Sequence, residues 1–341
     1  MAAKTKPWLV ICVFLLAANC IQQFVHGKSQ VPCLFIFGDS LSDSGNNNNL
    51  PTLGRANFRP YGIDFPKGPT GRFTNGRTAI DFISEFLGFK EPIPSYANTS
   101  GSNILKGVNY ASGGAGIRRE SGKIGGANID LEVQLRNHKV IYSMIAKKLG
   151  GSEKAQQYLS ECLYYVNIGN NDYIYNYFYF PIYLTRLFYT PQQYANSLIV
   201  RLSQYIKELV DELGARKVVL VGLVDIGCTP DAMSMHRTNG SCVEEMNNAA
   251  SIFNEELRSL VDQFNNNSST DSKFIYLRSL DKSIFLGFPV ANASCCPTLC
   301  FPNKTPCQNR TEYVFWDGLH STEAANRIIA ERSYNNIMHL L

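Results

Sequence analysis

Two short segments near opposite ends of the chain contain the residue types that acyl transfer by a serine requires. Ser40 follows Gly38 and Asp39 at the end of a short apolar run, and Asp317 precedes His320 by three residues. An oxygen nucleophile, an imidazole base and a carboxylate that orients the base together form the catalytic set of serine hydrolases. We therefore predict a serine hydrolase in which His320 deprotonates Ser40 and Asp317 orients the imidazole.

Each segment taken alone has a second interpretation. A stretch rich in Asp, Ser and Gly is also typical of a simple turn, and Ser42 and Ser44 are rival nucleophiles that lie farther from the strand end. An Asp-x-x-His pair before a helix is also typical of a helix cap. His320 is favoured because it is the only histidine after residue 27 with an aspartate placed to hold it. The aspartate raises the pKa of His320 and the adjacent helix N-terminus lowers it.

Two further segments predict donors for the oxyanion that forms on the attacked carbonyl. The backbone amide of Ser40 is one donor, and the backbone amide of Gly114 in the glycine-rich stretch Asn109–Gly116 is a second. The side-chain amide of Asn171, between Gly169 and Asp172, is a third. The alternatives are a flexible glycine turn and an Asx turn.

Short apolar runs alternate along the chain with longer stretches in which apolar residues recur at helical spacing. This alternation predicts an α/β fold, a three-layer α/β/α sandwich with a five-stranded, mostly parallel sheet of the flavodoxin-like kind. No linker or internal repeat divides residues 28–341, so we predict a single domain. The predicted strands are Cys33–Phe37, Ile104–Tyr110, Cys162–Ile168, Lys217–Leu223 and Lys273–Leu277, and the predicted helices are Ile80–Phe86, Leu131–Leu149, Tyr194–Leu213, Ile252–Phe264 and Thr322–Met338.

This scaffold explains how distant segments meet. Parallel α/β sheets bind ligands at the carboxyl ends of their strands. Ser40, Gly114 and Asn171 follow the first three predicted strands, and Asp317 and His320 precede the last helix. We therefore expect all four segments to converge at one edge of the sheet.

Residues 1–27 have the features of a secretory signal peptide. Lys4 and Lys6 precede an apolar run from Trp8 to Ala18, which is about half the length needed to cross a bilayer. We predict that this leader is cleaved and the protein secreted, with a short membrane anchor as the alternative and no stable membrane insertion of the rest.

The whole chain has a formal net charge of +4, and loss of Lys4 and Lys6 with the leader lowers this charge to half. A nucleic-acid partner is therefore not expected.

The cysteines and asparagines fit an oxidising, secretory environment. An even number of cysteines after the leader favours disulfides, with Cys228–Cys242 as one pair and the last four stapling the segment before Asp317. A zinc site at these four is disfavoured, because adjacent cysteines lack the C-x-x-C spacing.

Motifs for phosphate, dinucleotide or other metal sites are absent, so no cofactor and no metal are expected. The candidate glycosylation sites are Asn98, Asn239, Asn266, Asn267, Asn292, Asn303 and Asn309.

Four blocks of this sequence resemble those of the GDSL esterases/lipases in the SGNH hydrolase superfamily, most of all the secreted plant branch. The blocks are Phe37–Ser40 with Asp43, Gly107–Gly116, Val166–Asp172 and Phe315–Asn326. The resemblance implies the same fold, no metal, and location in the cell wall or apoplast for a plant protein. It also implies Ser40 as nucleophile, Asp317 and His320 as relay, and Gly114 and Asn171 as oxyanion donors, with Gly113 as a one-residue alternative to Gly114.

The expected reaction is hydrolysis of a carboxylic ester through an acyl-enzyme, with a lipid, an acylated polysaccharide or a small ester as substrate. An acyltransferase with the same triad and an alcohol acceptor is an alternative, and a catalytically silent lipid- or glycan-binding protein is another. The aromatic tract Tyr173–Phe180, directly after Asp172, has two interpretations: ordinary core packing, or the lining of an acyl or aryl pocket.

Overall fold

The computed structural model describes residues 29–179, 184–267, 271–297 and 300–341. The predicted leader, residues 1–27, lies outside the described residues. Within these ranges no helix combines the length and the apolar character that crossing a membrane requires.

Four parallel strands form the central sheet, in the order in which they occur along the chain. They are β1 (Leu34–Gly38), β2 (Leu163–Asn167), β3 (Lys217–Val221) and β4 (Lys273–Leu277). Gly38 pairs with Asn167, Asn167 with Val221, and Val221 with Leu277, so the carboxyl ends of all four strands are level. The loops that follow these strands therefore start from one edge of the sheet.

Helices cover both faces of this sheet, because the side chains of each strand alternate between two apolar clusters. In β1, Leu34 and Ile36 belong to a cluster with the helices Ala79–Phe86 and Glu323–Ile337. Phe35 and Phe37 belong to a second cluster with the helices Leu131–Leu149, Pro191–Asp211 and Glu244–Asn267. The predicted α/β class and three-layer arrangement are confirmed. In chain order the helices are α1 (Ala79–Phe86), α2 (Leu131–Leu149), α3 (Ser152–Ser160), α4 (Thr185–Phe188), α5 (Pro191–Asp211), α6 (Pro230–Met235), α7 (Glu244–Asn267), α8 (Lys282–Phe285) and α9 (Glu323–Ile337).

The predicted fifth strand of this sheet, Ile104–Tyr110, is wrong in most of its length. Residues Gly101–Lys106 form a 3₁₀ helix, and Gly107 follows with a φ of 112°, which ends any extended run. Only Asn109 bridges to β1, through Ile36, whose amide donates to Val108 O at 3.0 Å. The segment thus lies beside β1 as an irregular edge, and the sheet has four strands instead of five.

A small parallel pair supports the loop that carries Asp317 and His320. It consists of β5 (Val290–Ser294) and β6 (Tyr313–Phe315), neither of which was predicted. Two residues after β5 ends, the Cys296 amide donates to Trp316 O at 2.7 Å, and the Trp316 amide donates to His320 O at 2.7 Å. Disulfides Cys295–Cys307 and Cys296–Cys300 tie the intervening chain to this pair, as expected for the last four cysteines.

Candidate active site

Ser40 lies one residue past Asp39 in a tight turn at the carboxyl end of β1. The strand ends at Gly38, where a Cβ would lie 2.7 Å from the Asn167 carbonyl oxygen, so only glycine fits. The buried Asp39 carboxylate accepts hydrogen bonds from the Leu41 amide at 3.0 Å and from the Asn170 side chain at 3.1 Å. These contacts fix the turn on both sides of Ser40 and leave its side chain partly exposed.

His320 contacts Ser40 across 280 residues of sequence. Its Nε2 lies 2.8 Å from Ser40 Oγ, and its Nδ1 lies 2.8 Å from each carboxylate oxygen of Asp317. Asp317 also closes a turn on itself, because its Oδ1 accepts hydrogen bonds from the amides of Leu319 at 2.9 Å and His320 at 2.8 Å. The structure therefore brings together Ser40, His320 and Asp317, whereas Ser42 is buried in the turn.

The charges of His320 and Asp317 shift each other's pKa in opposite directions. Burial by itself would lower the pKa of His320, but the charge and hydrogen bond of Asp317, with smaller contributions from Asp39 and Asp231, raise that pKa above its ordinary value. Burial would raise the pKa of Asp317, but the charge and hydrogen bond of His320 and a hydrogen bond from Tyr61 lower it. The carboxylate of Asp317 therefore outweighs burial in setting the pKa of His320.

Two aromatic side chains that the sequence analysis did not identify support this pair. The Tyr61 hydroxyl donates to Asp317 Oδ2 at 2.6 Å, and the centre of the Phe73 ring lies 5.0 Å from that of His320. Both belong to the long loop between β1 and α1, more than 240 residues from Asp317. No local pattern in the sequence marks such a contact.

Asp39 is a further charged group that the sequence analysis left without a role. Burial raises the pKa of its carboxyl to about 6, with the Leu41 amide and the Asn170 side chain acting in the opposite direction. Asn170 also accepts a hydrogen bond from the Val224 amide at 3.1 Å, so it connects the turn at Ser40 to the loop after β3. The sequence analysis singled out the segment Gly169–Asp172, but within it assigned a role only to Asn171 and none to Asn170.

The three expected oxyanion donors lie on three segments: Ser40 in the turn after β1, Asn171 on the loop after β2, and Gly114 after the segment that runs beside β1. The Gly113 amide donates to Asp43 Oδ2 at 2.9 Å, whereas in the described part of the chain the amides of Gly114 and Ser40 donate to no protein acceptor. Gly114 has a φ of 80°, a conformation that glycine adopts readily. The buried Asn171 side chain donates to Ala115 O at 2.8 Å, which leaves its second N–H available.

Asp172 fixes the loop on which Asn171 lies. Its carboxylate accepts hydrogen bonds from the amides of Ile117 at 2.8 Å and Arg118 at 3.0 Å and from the Ser121 hydroxyl at 2.6 Å. These bonds tie the start of a π-helix, Asp172–Tyr177, to the segment that follows Gly114. The two loops that carry the side chain of Asn171 and the amide of Gly114 are therefore held as one unit.

The remaining predictions concern disulfides, metal ligands and glycosylation. The Cys228–Cys242 pair is confirmed, and a fourth disulfide, Cys33–Cys162, joins the residues that precede β1 and β2. Among the residues that the structure describes, no group of three or more His, Cys, Asp or Glu side chains is arranged to hold a metal ion. Six sequon asparagines, Asn98, Asn239, Asn266, Asn292, Asn303 and Asn309, are exposed, and the side chain of Asn267 lies outside the described part of the chain.

Comparison with known proteins places this arrangement in a family. The profile of the GDSL-like lipase/acylhydrolase family matches residues 34–333. Two GDSL esterases/lipases of Arabidopsis thaliana are similar over nearly the full length: At2g19010 is 48% identical, covering 97% of this chain and 95% of that protein, and At1g29670 is 46% identical, covering 98% and 95%. A third, At1g29660, is 44% identical with coverage of 98% and 95%.

Proposed function

This chain belongs to the GDSL-like lipase/acylhydrolase family and is a carboxylic ester hydrolase, and we propose that it works through an acyl-enzyme formed on Ser40. The observation that carries the proposal is the 2.8 Å contact between His320 Nε2 and Ser40 Oγ, with Asp317 on the other ring nitrogen. A base within hydrogen-bond reach of the hydroxyl, itself oriented by a carboxylate, is the arrangement that nucleophilic catalysis needs.

In the first half of the reaction His320 accepts the Ser40 proton as Oγ attacks the ester carbonyl carbon. The amides of Ser40 and Gly114 and the side chain of Asn171 donate to the oxygen that becomes negative, which lowers the barrier because these donors are already in place. His320 then protonates the alcohol oxygen, the carbon–oxygen bond breaks, and the acyl group remains on Ser40.

In the second half His320 accepts a proton from water, which attacks the acyl carbon. Collapse of the second tetrahedral intermediate releases the carboxylic acid and returns the proton to Ser40 Oγ. Asp317 keeps Nδ1 protonated throughout and stabilises the imidazolium that forms in each half. The raised pKa of His320 fits a base that must hold a proton between the two steps.

The test is covalent labelling with a fluorophosphonate, followed by mass-spectrometric identification of the modified peptide. Wild type should be labelled on Ser40 alone, and Ser40→Ala should lose both the label and p-nitrophenyl acetate hydrolysis. Ser42→Ala is the matched control, because Ser42 lies in the same turn but is buried. Labelling on another residue, or unchanged turnover by Ser40→Ala, would contradict the proposal.

We also propose that residues 1–27 are a cleaved leader, that residues 28–341 form a single domain, and that the protein is an extracellular glycoprotein. The four disulfides and the exposed sequon asparagines support this proposal. When the full chain is expressed in plant cells, the protein should be recovered from the culture medium with its N-terminus near residue 28. Treatment of this secreted protein with an N-glycosidase should lower its mass. Retention of the N-terminal segment in the secreted protein would contradict cleavage.

A further inference from the structure

A small cavity beside His320 is lined mainly by apolar side chains. One wall consists of the π-helix Asp172–Tyr177, which begins directly after Asn171, and of the residues that follow this helix. Another wall is α6. Leu319, the residue before His320, completes the lining next to the triad. The wall formed by α6 is attached to the loop that carries Asp317 and His320, because the Asp231 amide donates to Gly318 O at 2.9 Å. The cavity therefore lies between the segment that carries Asn171 and the segment that carries His320.

The size of this cavity limits what it can hold. Its open volume is about 30 Å³, whereas one water molecule needs roughly 10–15 Å³ on the same kind of measure. Phe178, which is only 9% exposed, forms part of its wall, and buried Met246 forms another part. A group of two to four carbon atoms fits with small adjustments, and a longer chain has to displace these packed side chains.

Among the residues that line the cavity, Asp231 is the one carboxylate and His236 the one imidazole. Asp231 lies in the first turn of α6 and is partly buried, and in the described part of the chain its carboxylate has no hydrogen-bond partner. It interacts electrostatically with Asp317, and burial followed by that interaction raises its pKa. A second carboxylate brought into this cavity would meet the negative charge of Asp231, which lines it, at a pH where Asp231 is ionised.

From this placement we infer that the cavity is the acyl subsite, that it accepts short uncharged acyl groups, and that Asp231 excludes acyl groups that end in a carboxylate. The inference rests on the proposed acyl-enzyme at Ser40 and adds the substrate class. The acyl side is assigned because the wall that contains Phe178 continues directly from Asn171, which donates to the carbonyl oxygen of the acyl group. The two parts of the inference are tested separately.

The size limit is tested with p-nitrophenyl acetate, butyrate and octanoate, which share one leaving group. Wild type should show kcat/KM at least tenfold higher for acetate or butyrate than for octanoate. Phe178→Ala, which enlarges the cavity, should raise the octanoate-to-acetate ratio about tenfold, while Phe188→Ala, an exposed phenylalanine of α4 outside the lining, should leave that ratio unchanged. A ratio insensitive to Phe178→Ala, or a preference of wild type for octanoate, would overturn the size limit.

The charge limit is tested at pH 8 with p-nitrophenyl butyrate and p-nitrophenyl hemisuccinate, whose acyl groups differ in a terminal methyl or carboxylate. Wild type should prefer butyrate, and Asp231→Asn should reduce this preference about tenfold, whereas the exposed Asp262→Asn should not. Ratios within one variant cancel any general effect of the substitution on His320. An unchanged preference in Asp231→Asn would overturn the role of Asp231.

Alkyl acetates with a growing alcohol chain distinguish the acyl side from the alcohol side. Their chain-length dependence should be the same in wild type and Phe178→Ala. If Phe178→Ala changed the chain-length dependence for the alkyl acetates and not that for the p-nitrophenyl esters, the assignment of the cavity to the acyl side would be wrong. A wild type that hydrolyses none of these esters and takes no fluorophosphonate on Ser40 would overturn the proposed function itself, together with this inference.

Discussion

The Tyr61 hydroxyl donates to Asp317 Oδ2 at 2.6 Å, so the carboxylate that holds His320 is itself held by a residue from the opposite end of the chain. Asp317 is buried and accepts three further hydrogen bonds, from the His320 ring and from the amides of Leu319 and His320. Tyr61 is thus the one donor among these that comes from outside the catalytic loop. We regard it as a positioning residue, since it acts through Asp317.

Tyr61→Phe removes this hydroxyl and keeps the ring. One lone pair of a buried carboxylate then lacks a partner, a loss worth about 1–3 kcal/mol. We expect kcat to fall roughly tenfold with little change in KM, because the orientation of His320 in the transition state is affected and substrate binding is not. Tyr158→Phe, which removes a hydroxyl bonded to Leu105 O away from the site, should leave kcat unchanged. An equal kcat for Tyr61→Phe and wild type would contradict a positioning role.

The rate should rise with pH through a pKa above the ordinary histidine value of 6.5, because Asp317 and the nearby carboxylates of Asp39 and Asp231 raise the pKa of His320. The sequence alone left this direction open. The neutral imidazole is the base, so activity is low below that pKa and reaches a plateau above it. The midpoint of the ascending limb of kcat/KM, measured with p-nitrophenyl acetate, should therefore exceed 6.5.

Asp39→Asn should move that midpoint to lower pH, because it removes one negative charge near the imidazole and keeps an oxygen that can accept from the Leu41 amide. Asp262→Asn, an exposed change on α7, serves as the control and should not move it. A wild-type midpoint at or below 6.5 would show that burial outweighs the carboxylates.

Asn171→Ala should lower kcat by about 10²–10³ if the side-chain amide donates to the oxyanion. KM should change little, since the negative charge exists only in the transition state. The substitution also removes the bond to Ala115 O, so thermal unfolding must be measured alongside to separate a local distortion from a lost donor. Asn196→Ala, an exposed asparagine of α5, is the matched control. A fall smaller than about tenfold would exclude Asn171 as a principal donor.

Apolar spacing in the sequence predicted two elements of the framework with their exact bounds. The predicted bounds of α2, Leu131–Leu149, match the structure, in which Asp130 caps the first turn through the Val133 amide and Gly150 follows the helix with a φ of 86°. β4 was likewise predicted to the residue. The apolar run Ile104–Tyr110 misled the analysis because its composition is that of a strand, and the positive φ of Gly107 is a property of tertiary packing against Leu34.

The site was predictable in its motif residues and not in the groups that support them. Ser40 and His320 stand at the ends of elements whose order the alternation of strands and helices fixes, so their convergence follows from topology. Tyr61, Asn170 and Asp231 act through contacts between distant loops, and such contacts leave no periodic or spacing signal in a single sequence.

The disulfide Cys33–Cys162 should contribute more to stability than Cys228–Cys242, because it closes a far longer loop in the unfolded chain. The sequence separations are 129 and 14 residues. In the chain-entropy model the longer loop stabilises the fold by about 4–5 kcal/mol and the shorter by about 3 kcal/mol. Denaturant unfolding of the double variants Cys33→Ser/Cys162→Ser and Cys228→Ser/Cys242→Ser measures the two values. A larger loss for the second variant would contradict the entropic account.

His138 should make the fold less stable as the pH falls below about 6.5. It is fully buried among Phe35, Phe37, Tyr110 and Tyr164, and its Nδ1 lies 3.0 Å from the Tyr110 hydroxyl. Burial lowers its pKa to about 3. Between pH 6.5 and pH 3 the unfolded state therefore binds a proton that the folded state does not, which costs up to about 1.4 kcal/mol of stability per pH unit.

His138→Gln should abolish this contribution, since glutamine can still bond the Tyr110 hydroxyl but does not titrate. Burial also raises the pKa of Asp39, Asp43 and Asp172 to about 6, and these carboxyls stabilise the fold as the pH falls, so only the difference between wild type and variant isolates His138. Urea unfolding at pH 7.5, 6 and 5 should show the free energy of wild type falling relative to that of His138→Gln, while the exposed His339→Gln follows wild type. A constant difference between wild type and His138→Gln across this range would mean that burial does not lower the pKa of His138 in the folded core.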